Sequence, residues 1–322
     1  MKKRILIGAG LCAAALMVVV AGLAAYSLHA YRALNVEGQY FDSNGTRIHY
    51  TVAGAGAPVI LVHGLAANIG VDWVRPKILP KLAEHYQVVA LDLRGHGRSG
   101  KPHDPGQYGV QIVEDIVRLM DHLKIQKAHL VGYSMGGFIV LKFAMAHPDR
   151  LLSVAPCGSG WAGNPDRDLA FLRQLGDAVK NRQGFGILLE RLQPVGRPVS
   201  KFRRTMVNAL ISATNDTQAL AAMLHSVDAW RVTETELRDN KVPALAVIGE
   251  RDPLKVFADQ LAAAMANIEE VVVPDGDHFS TLKRPQTIEA LEAFLAKHTP
   301  KGVAASRPWF APARLRLCYS RF

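Results

Sequence analysis

Cysteine is scarce in this sequence, with three among 322 residues. Cys12 lies in an apolar N-terminal run, so Cys157 and Cys318 cannot build a disulfide framework with it. Low cysteine use suits a reducing compartment, although an exported chain of this size has core enough to need no staples. Cys157 reads as a small buried apolar residue. Metal signatures are missing too: there is no His-Glu-x-x-His and no Cys/His cluster, so neither a metal nor a cofactor is expected. A basic face is also lacking despite a net charge of +10. Lys2, Lys3 and Arg4 at one end, with Lys301, Arg307, Arg314, Arg316 and Arg321 at the other, supply most of that excess. The span between them is nearly neutral, and nucleic acid is excluded as a partner because it needs clustered cations. Dinucleotide binding fails as well. Gly8-Ala9-Gly10-Leu11-Cys12-Ala13 fits G-x-G-x-x-A, but the apolar run simply continues. Gly95-His96-Gly97-Arg98-Ser99-Gly100 follows a strand, yet Lys101-Pro102-His103-Asp104-Pro105 comes next, so no helix N-terminus faces the glycines.

What is present is a sequence half apolar and a fifth charged, as a sizeable core requires. Met1-Lys2-Lys3-Arg4 precedes the uncharged run Ile5–Ala25. That run exceeds the roughly 7–15 apolar residues of a signal peptide and matches the about 20 needed to span a bilayer. Residues 1–30 are therefore expected to be a single-pass membrane anchor, with the basic cluster cytoplasmic and the rest of the chain on the other side. The alternative is export after signal cleavage, for example near Ala25-Tyr26-Ser27. At the opposite end, residues 299–322 read as a basic tail without a periodic pattern.

Between these ends the chain alternates. Gly38–Phe41 and Arg47–Val52 flank Asp42-Ser43-Asn44-Gly45, where Asn-Gly signals a hairpin turn. Unbroken apolar runs then recur at Pro58–Val62, Gln87–Leu91, Ala128–Val131, Leu151–Ala155, Ala244–Ile248 and Glu270–Val273, as strands buried on both faces require. Helical spacing separates them, as in Ile112, Val113, Ile116, Leu119 and Met120. This is an α/β chain with a doubly wound, mostly parallel sheet. Trp161–Thr235 breaks the alternation with helical patterns, namely Leu169, Leu172, Leu175; Phe185, Leu188, Leu189, Leu192; and Phe202, Met206, Val207, Leu210. An all-helical insertion at the end of the sheet where ligands bind reads as a cap. The expected organisation is a core at 36–158 and 241–298, with an inserted helical cap at 159–240.

Gly132-Tyr133-Ser134-Met135-Gly136 places G-x-S-x-G between a buried strand and a helix. In that context the pattern presents the serine at the top of the sheet, at a helix N-terminus whose amides favour negative charge. With Leu61-Val62-His63-Gly64-Leu65 and Asp92-Leu93-Arg94-Gly95-His96-Gly97-Arg98-Ser99, the chain resembles the α/β-hydrolase superfamily, in its serine hydrolase branch with a helical cap. The resemblance covers about residues 36–297. It implies a nucleophile, acid and base in that chain order, hence Ser134, then an acid, then a histidine. Only His278 and His298 follow the cap, and His278 ends a strand-to-loop stretch, so it is the expected base. Asp252 in Gly249-Glu250-Arg251-Asp252 matches the family's acid position, with Glu250 the competitor and Asp228 more distant. The resemblance also implies an oxyanion hole from the backbone N–H groups of Met135 and Leu65, and makes His63 a structural loop residue.

The expected activity is hydrolysis of a small-molecule carboxylic ester, lipase- or esterase-like, with an apolar acyl group or a monoacylglycerol as substrate. The alternative chemistry is carbon–carbon bond hydrolysis of ring-cleavage dienoates, for which Arg191, Arg197, Arg203, Arg204 or Arg231 would hold a substrate carboxylate. The alternative of another class is a non-catalytic binding protein of the same fold.

Overall fold

The computed structural model describes residues 36–301, with Met17, Val20 and Gly22 before them. Asn44 and Gly45 both take positive φ, 53° and 80°, the combination a type I′ turn requires. They join β1 (Gln39–Ser43) to β2 (Thr46–Ala53) in an antiparallel hairpin with Phe41 opposite Ile48. The apolar runs become β3 (Pro58–Val62), β4 (Gln87–Leu91), β5 (Ala128–Tyr133), β6 (Leu151–Cys157), β7 (Ala244–Gly249) and β8 (Ile268–Val273). All eight strands form one sheet in the order β1-β2-β4-β3-β5-β6-β7-β8. The hairpin and its junction with β4 are antiparallel, and every later pairing is parallel. Every residue of β5 and β7 is buried, which is why neither shows alternation. β8 is the edge strand and carries exposed Glu269 and Glu270, charges that discourage pairing with another chain.

The helices are α1 (Ile78–Leu82), α2 (Val110–His122), α3 (Met135–Ala146), α4 (Asp166–Lys180), α5 (Gly186–Arg191), α6 (Lys201–Thr214), α7 (Thr217–Leu224), α8 (Glu234–Asp239), α9 (Lys255–Ala264) and α10 (Pro285–His298). Successive strand residues point to opposite faces, and the core divides accordingly. Ile60, Val62 and Leu130 pack with Ile112 and Ile116 of α2 and Phe143 of α3. Val59, Leu61 and Val131 pack with Leu82 of α1 and Leu291 and Phe294 of α10. Helices thus cover both faces of the doubly wound sheet.

Five helices, α4 to α8, lie between β6 and β7. Thr233 and Glu236 form a capping box that starts α8, and Asp216 caps α7 through the Gln218 and Ala219 amides. Leu169 and Leu175 of α4 are buried, as are Phe185 and Leu189 at α5. The third apolar set behaves differently. α6 buries no residue, and Phe202 is 75% exposed. Its Val207 and Ile211 face inward to a cavity, whereas Phe202, Met206 and Leu210 look outward. Hydrophobic spacing located this helix, but burial does not follow from spacing alone.

The expectation of a single-pass N-terminal anchor, and of a membrane as a partner through it, is corrected. Spanning a bilayer takes a continuous apolar helix of about 20 residues, and among the described residues no helix is long and apolar enough. The run that prompted the expectation, like the signal-cleavage alternative and residues 302–322 of the basic tail, lies outside the described residues apart from the three isolated positions.

Candidate active site

Between β5 and α3 the chain turns so sharply that Ser134 takes φ 53° and ψ −118°. A non-glycine residue there is strained, and such strain persists only where the surroundings enforce it. The enforcement is visible. A Cβ on Gly132 would sit 2.2 Å from the Gly136 carbonyl oxygen, and a Cβ on Gly136 would sit 2.0 Å from that of Val62. Only hydrogen fits at either position, which is the physical content of G-x-S-x-G. The Ser134 N–H donates to the Cys157 carbonyl at 2.9 Å, tying the turn to β6.

His278 stands in the loop after β8, which is folded on Asp277: that carboxylate accepts from the Phe279 N–H and the Ser280 hydroxyl. The imidazole Nε2 lies 2.9 Å from Ser134 Oγ and Nδ1 lies 2.8 Å from Asp252 Oδ2. Asp252 Oδ1 accepts the Leu254 N–H at 2.9 Å, so both carboxylate oxygens are engaged. Nδ1 facing a carboxylate carries the proton, which leaves Nε2 to accept from the serine hydroxyl. Both His278 and Asp252 are buried, 4% and 3% exposed. Three side chains from three separate loops thus form one hydrogen-bonded row, and such a row can deprotonate an alcohol.

Tyr133 fixes the histidine. Its hydroxyl donates to the His278 carbonyl, and its ring lies 5.5 Å from the imidazole. Burial holds this phenol well above its ordinary range, so it stays a donor. Tyr133→Phe is expected to leave the carbonyl unpaired and to lower stability by about 1–3 kcal/mol. A urea denaturation curve superimposing on that of the parent protein would refute it.

Met135 is the first residue of α3, so its N–H has no acceptor within the helix. Leu65 follows His63-Gly64, a segment pressed against the serine: a Cβ on Gly64 would lie 3.3 Å from Ser134 Cβ. His63 Nε2 accepts the Leu93 N–H at 3.0 Å, so the ring proton is on Nδ1, which donates to the Gly64 carbonyl at 2.8 Å. The Gly64 N–H donates to Asp72 Oδ2 at 2.8 Å. Asp72 belongs to a short π-helical turn, Gly70–Val74, and was missed by sequence reasoning. The one available signal was a carboxylate inside the apolar stretch Ile69-Gly70-Val71-Asp72-Trp73-Val74.

Other candidates stay apart from this cluster. Glu250 is exposed and accepts the Asp275 N–H. Asp228 pairs with Arg173, and His298 rests on Phe294 beside Glu269. The Cys157 thiol is pushed up to about 12 by burial and is inert. The glycines of Gly95–Gly100 serve packing: a Cβ on Gly97 would lie 2.3 Å from the Asp92 carboxylate, which accepts from the Ile69 and Arg98 amides and from His49. Among the described residues no group of His, Cys, Asp and Glu is arranged to hold a metal.

Ser134 and His278 line a cavity of about 460 Å³, within the range of small-molecule sites. Its other walls come mainly from the helices between β6 and β7, with Leu169, Phe171, Leu172, Phe185 and Trp230 among them, and with Phe257 of α9 opposite.

A protein-family model described as the alpha/beta hydrolase fold matches residues 57–285. The dihydrolipoyllysine-residue acetyltransferase component of the acetoin cleaving system of Cupriavidus necator is 31% identical over 271 residues, 81% of this chain and 68% of that protein. Among solved structures, Est816, an N-acyl homoserine lactone degrading enzyme, is similar at a TM-score of 0.64 and 28% identity, over 80% of this chain and 100% of its own. The 2-hydroxy-6-oxo-6-phenylhexa-2,4-dienoate hydrolase of Rhodococcus sp. strain RHA1 is similar at a TM-score of 0.62 and 26% identity, over 82% of this chain and 98% of its own.

Proposed function

Because the chain belongs to the α/β-hydrolase fold family, we propose that it is a serine hydrolase, cleaving a carboxylic ester with an apolar acyl group through an acyl-enzyme. The observation that carries this reading is the row Ser134–His278–Asp252 opening onto an apolar cavity. His278 Nε2 takes the hydroxyl proton as Ser134 Oγ attacks the ester carbonyl, and Asp252 holds the tautomer and stabilises the imidazolium. The carbonyl oxygen, now negative, accepts from the Leu65 and Met135 N–H groups. Collapse expels the alcohol, which receives the proton from His278. Water, deprotonated by the same imidazole, then attacks the acyl-enzyme and releases the acid.

The pairing of the cap arginines favours an uncharged ester over a ring-cleavage dienoate, while Arg75 and Lys283 are the cations that the core contributes to the wall. Arg191 and Arg231 do line the cavity, but Arg191 is paired with Asp168 and Arg231 with Asp166, both on α4. Each arginine already has a carboxylate partner, and a substrate carboxylate would also meet Asp168 in the wall. Est816, described as degrading N-acyl homoserine lactones, supports extending the substrate class to cyclic esters.

The test is hydrolysis of 4-nitrophenyl esters of increasing acyl length beside an acyl lactone and an acidic dienoate. Turnover is expected to rise from acetyl to medium-chain esters, with the dienoate at least about tenfold slower, the minimum effect of one lost charge-assisted contact. No turnover at any chain length would sink the proposal.

A further inference from the structure

We propose that Asp72 is a positioning residue for this ester cleavage, holding the His63-Gly64-Leu65 segment so that the Leu65 N–H points at the substrate carbonyl oxygen. The inference rests on the function proposed above and adds a residue that the family's three motifs do not contain.

Two consecutive peptide planes set the direction of the Leu65 N–H. The first, between His63 and Gly64, is held by its N–H, which donates to Asp72 Oδ2 at 2.8 Å. The second, between Gly64 and Leu65, is held by its carbonyl, which accepts from His63 Nδ1 at 2.8 Å. In a planar trans peptide the C=O and N–H point in opposite directions. Fixing the Gly64 carbonyl therefore fixes the direction of the Leu65 N–H. Each plane alone would still be free to rotate about the Gly64 φ and ψ, and glycine opposes such rotation least of all residues. A Cβ is nearly excluded here by Ser134 at 3.3 Å, so the segment cannot be stiffened by a side chain of its own. The stiffness comes from Asp72 on one plane and His63 on the other.

Asp72 is itself well anchored. Its N–H donates to the Asn68 carbonyl at 3.2 Å, and the adjoining Val71 N–H donates to Asn68 Oδ1 at 2.9 Å. The Ile69 N–H is bound by Asp92. The carboxylate lies in the wall of the cavity that Ser134 and His278 also line. The charged and titratable groups that act on it are His63, His278 and Lys283, and burial nonetheless raises its carboxyl above the ordinary range. Among the described residues it makes no ion pair, so its defined contact is the Gly64 amide. A carboxylate kept in a partly desolvated wall for one amide is costly unless that amide matters.

The experiment compares Asp72→Ala and Asp72→Asn with the parent protein on the best 4-nitrophenyl ester. Active serine is counted by complete fluorophosphonate labelling, so that kcat refers to folded sites. Asparagine retains an acceptor oxygen for Gly64, whereas alanine does not. Asp72→Ala is expected to lower kcat about 10–100-fold with KM little changed, since misplacement of a transition-state donor by about 1 Å carries a penalty of that order. Asp72→Asn is expected within about threefold of the parent. If Asp72→Ala does not fold, Asp72→Ser, too short to reach Gly64, takes its place. An alanine variant with parental kcat, or an asparagine variant as impaired as alanine, overturns the inference. A parent protein without esterase activity would instead overturn the proposed function beneath it.

Discussion

Ser134→Ala is expected to reduce ester turnover about a millionfold while leaving the protein folded. The size follows from what the hydroxyl does. Without it no acyl-enzyme forms, and the remaining machinery can only orient water near a polarised carbonyl. The residual rate over water, about 10³–10⁴-fold, belongs to the amide donors and to substrate binding. His278→Ala is expected to fall nearly as far, since an alcohol with no base beside it is a poor nucleophile. The double variant should be no worse than either, because the two groups act as one unit. Stability should change little: the lost bond joins Ser134 Oγ to His278 Nε2, and alanine keeps the same backbone requirement at φ 53°. A fluorophosphonate separates this outcome from its rivals. The parent protein should label and Ser134→Ala should not. Persistent labelling would place the nucleophile elsewhere, and a parent that never labels would favour a non-catalytic binding role.

The legible parts of this protein were those in which chemistry constrains residue type. Gly132 and Gly136 are glycine because backbone atoms stand about 2 Å from where their Cβ atoms would be, so the sequence pattern is the shadow of a steric fact. The strands show themselves because burial on both faces removes the polar alternation, as in β5 and β7, where no residue is exposed. Order and context point to Ser134, Asp252 and His278, and the structure brings these three together. Asp72 escaped because its role depends on a contact across a loop, with Gly64, that no spacing encodes. The pairing of Arg191 with Asp168 escaped for the same reason, as it joins α5 to α4. α6 shows the converse. Its apolar period is that of a helix, yet Phe202 lies outside the core, because periodicity fixes a face but not what covers it. The N-terminal run shows another limit: length and apolarity suggested a span, and among the described residues none is found.

The largest stability effect is expected at Asp115, far from the chemistry. This carboxylate is fully buried on α2, among Ile112, Ile116 and Leu119. It binds Arg94 through two bonds of 2.6 Å, from Nε and Nη2, and accepts the Ser43 hydroxyl at 2.5 Å. Arg94, 1% exposed, also donates to the Gln107 carbonyl. Asp115→Ala would strand a guanidinium that cannot lose its charge, and removing one member of such a pair costs about 3–5 kcal/mol. That is a large part of the 5–15 kcal/mol that holds a typical domain together, so the urea midpoint should fall steeply. Burying these charges is itself costly, and desolvation raises the Asp115 carboxyl above its ordinary range even with Arg94 bound and Arg118 at 3.7 Å, so the pair is expected to add little net stability. Replacing both, with Arg94→Met and Asp115→Leu, should therefore recover most of the loss. The cycle has a functional arm. Leu93, next to Arg94, donates its N–H to His63 Nε2, and His63 holds the Gly64 carbonyl. Stranding Arg94 should loosen the loop after β4 and lower kcat as well as stability, whereas the double variant should regain both. Recovery of stability without recovery of kcat would mean that the path from Arg94 through Leu93 to His63 does not orient the Leu65 amide.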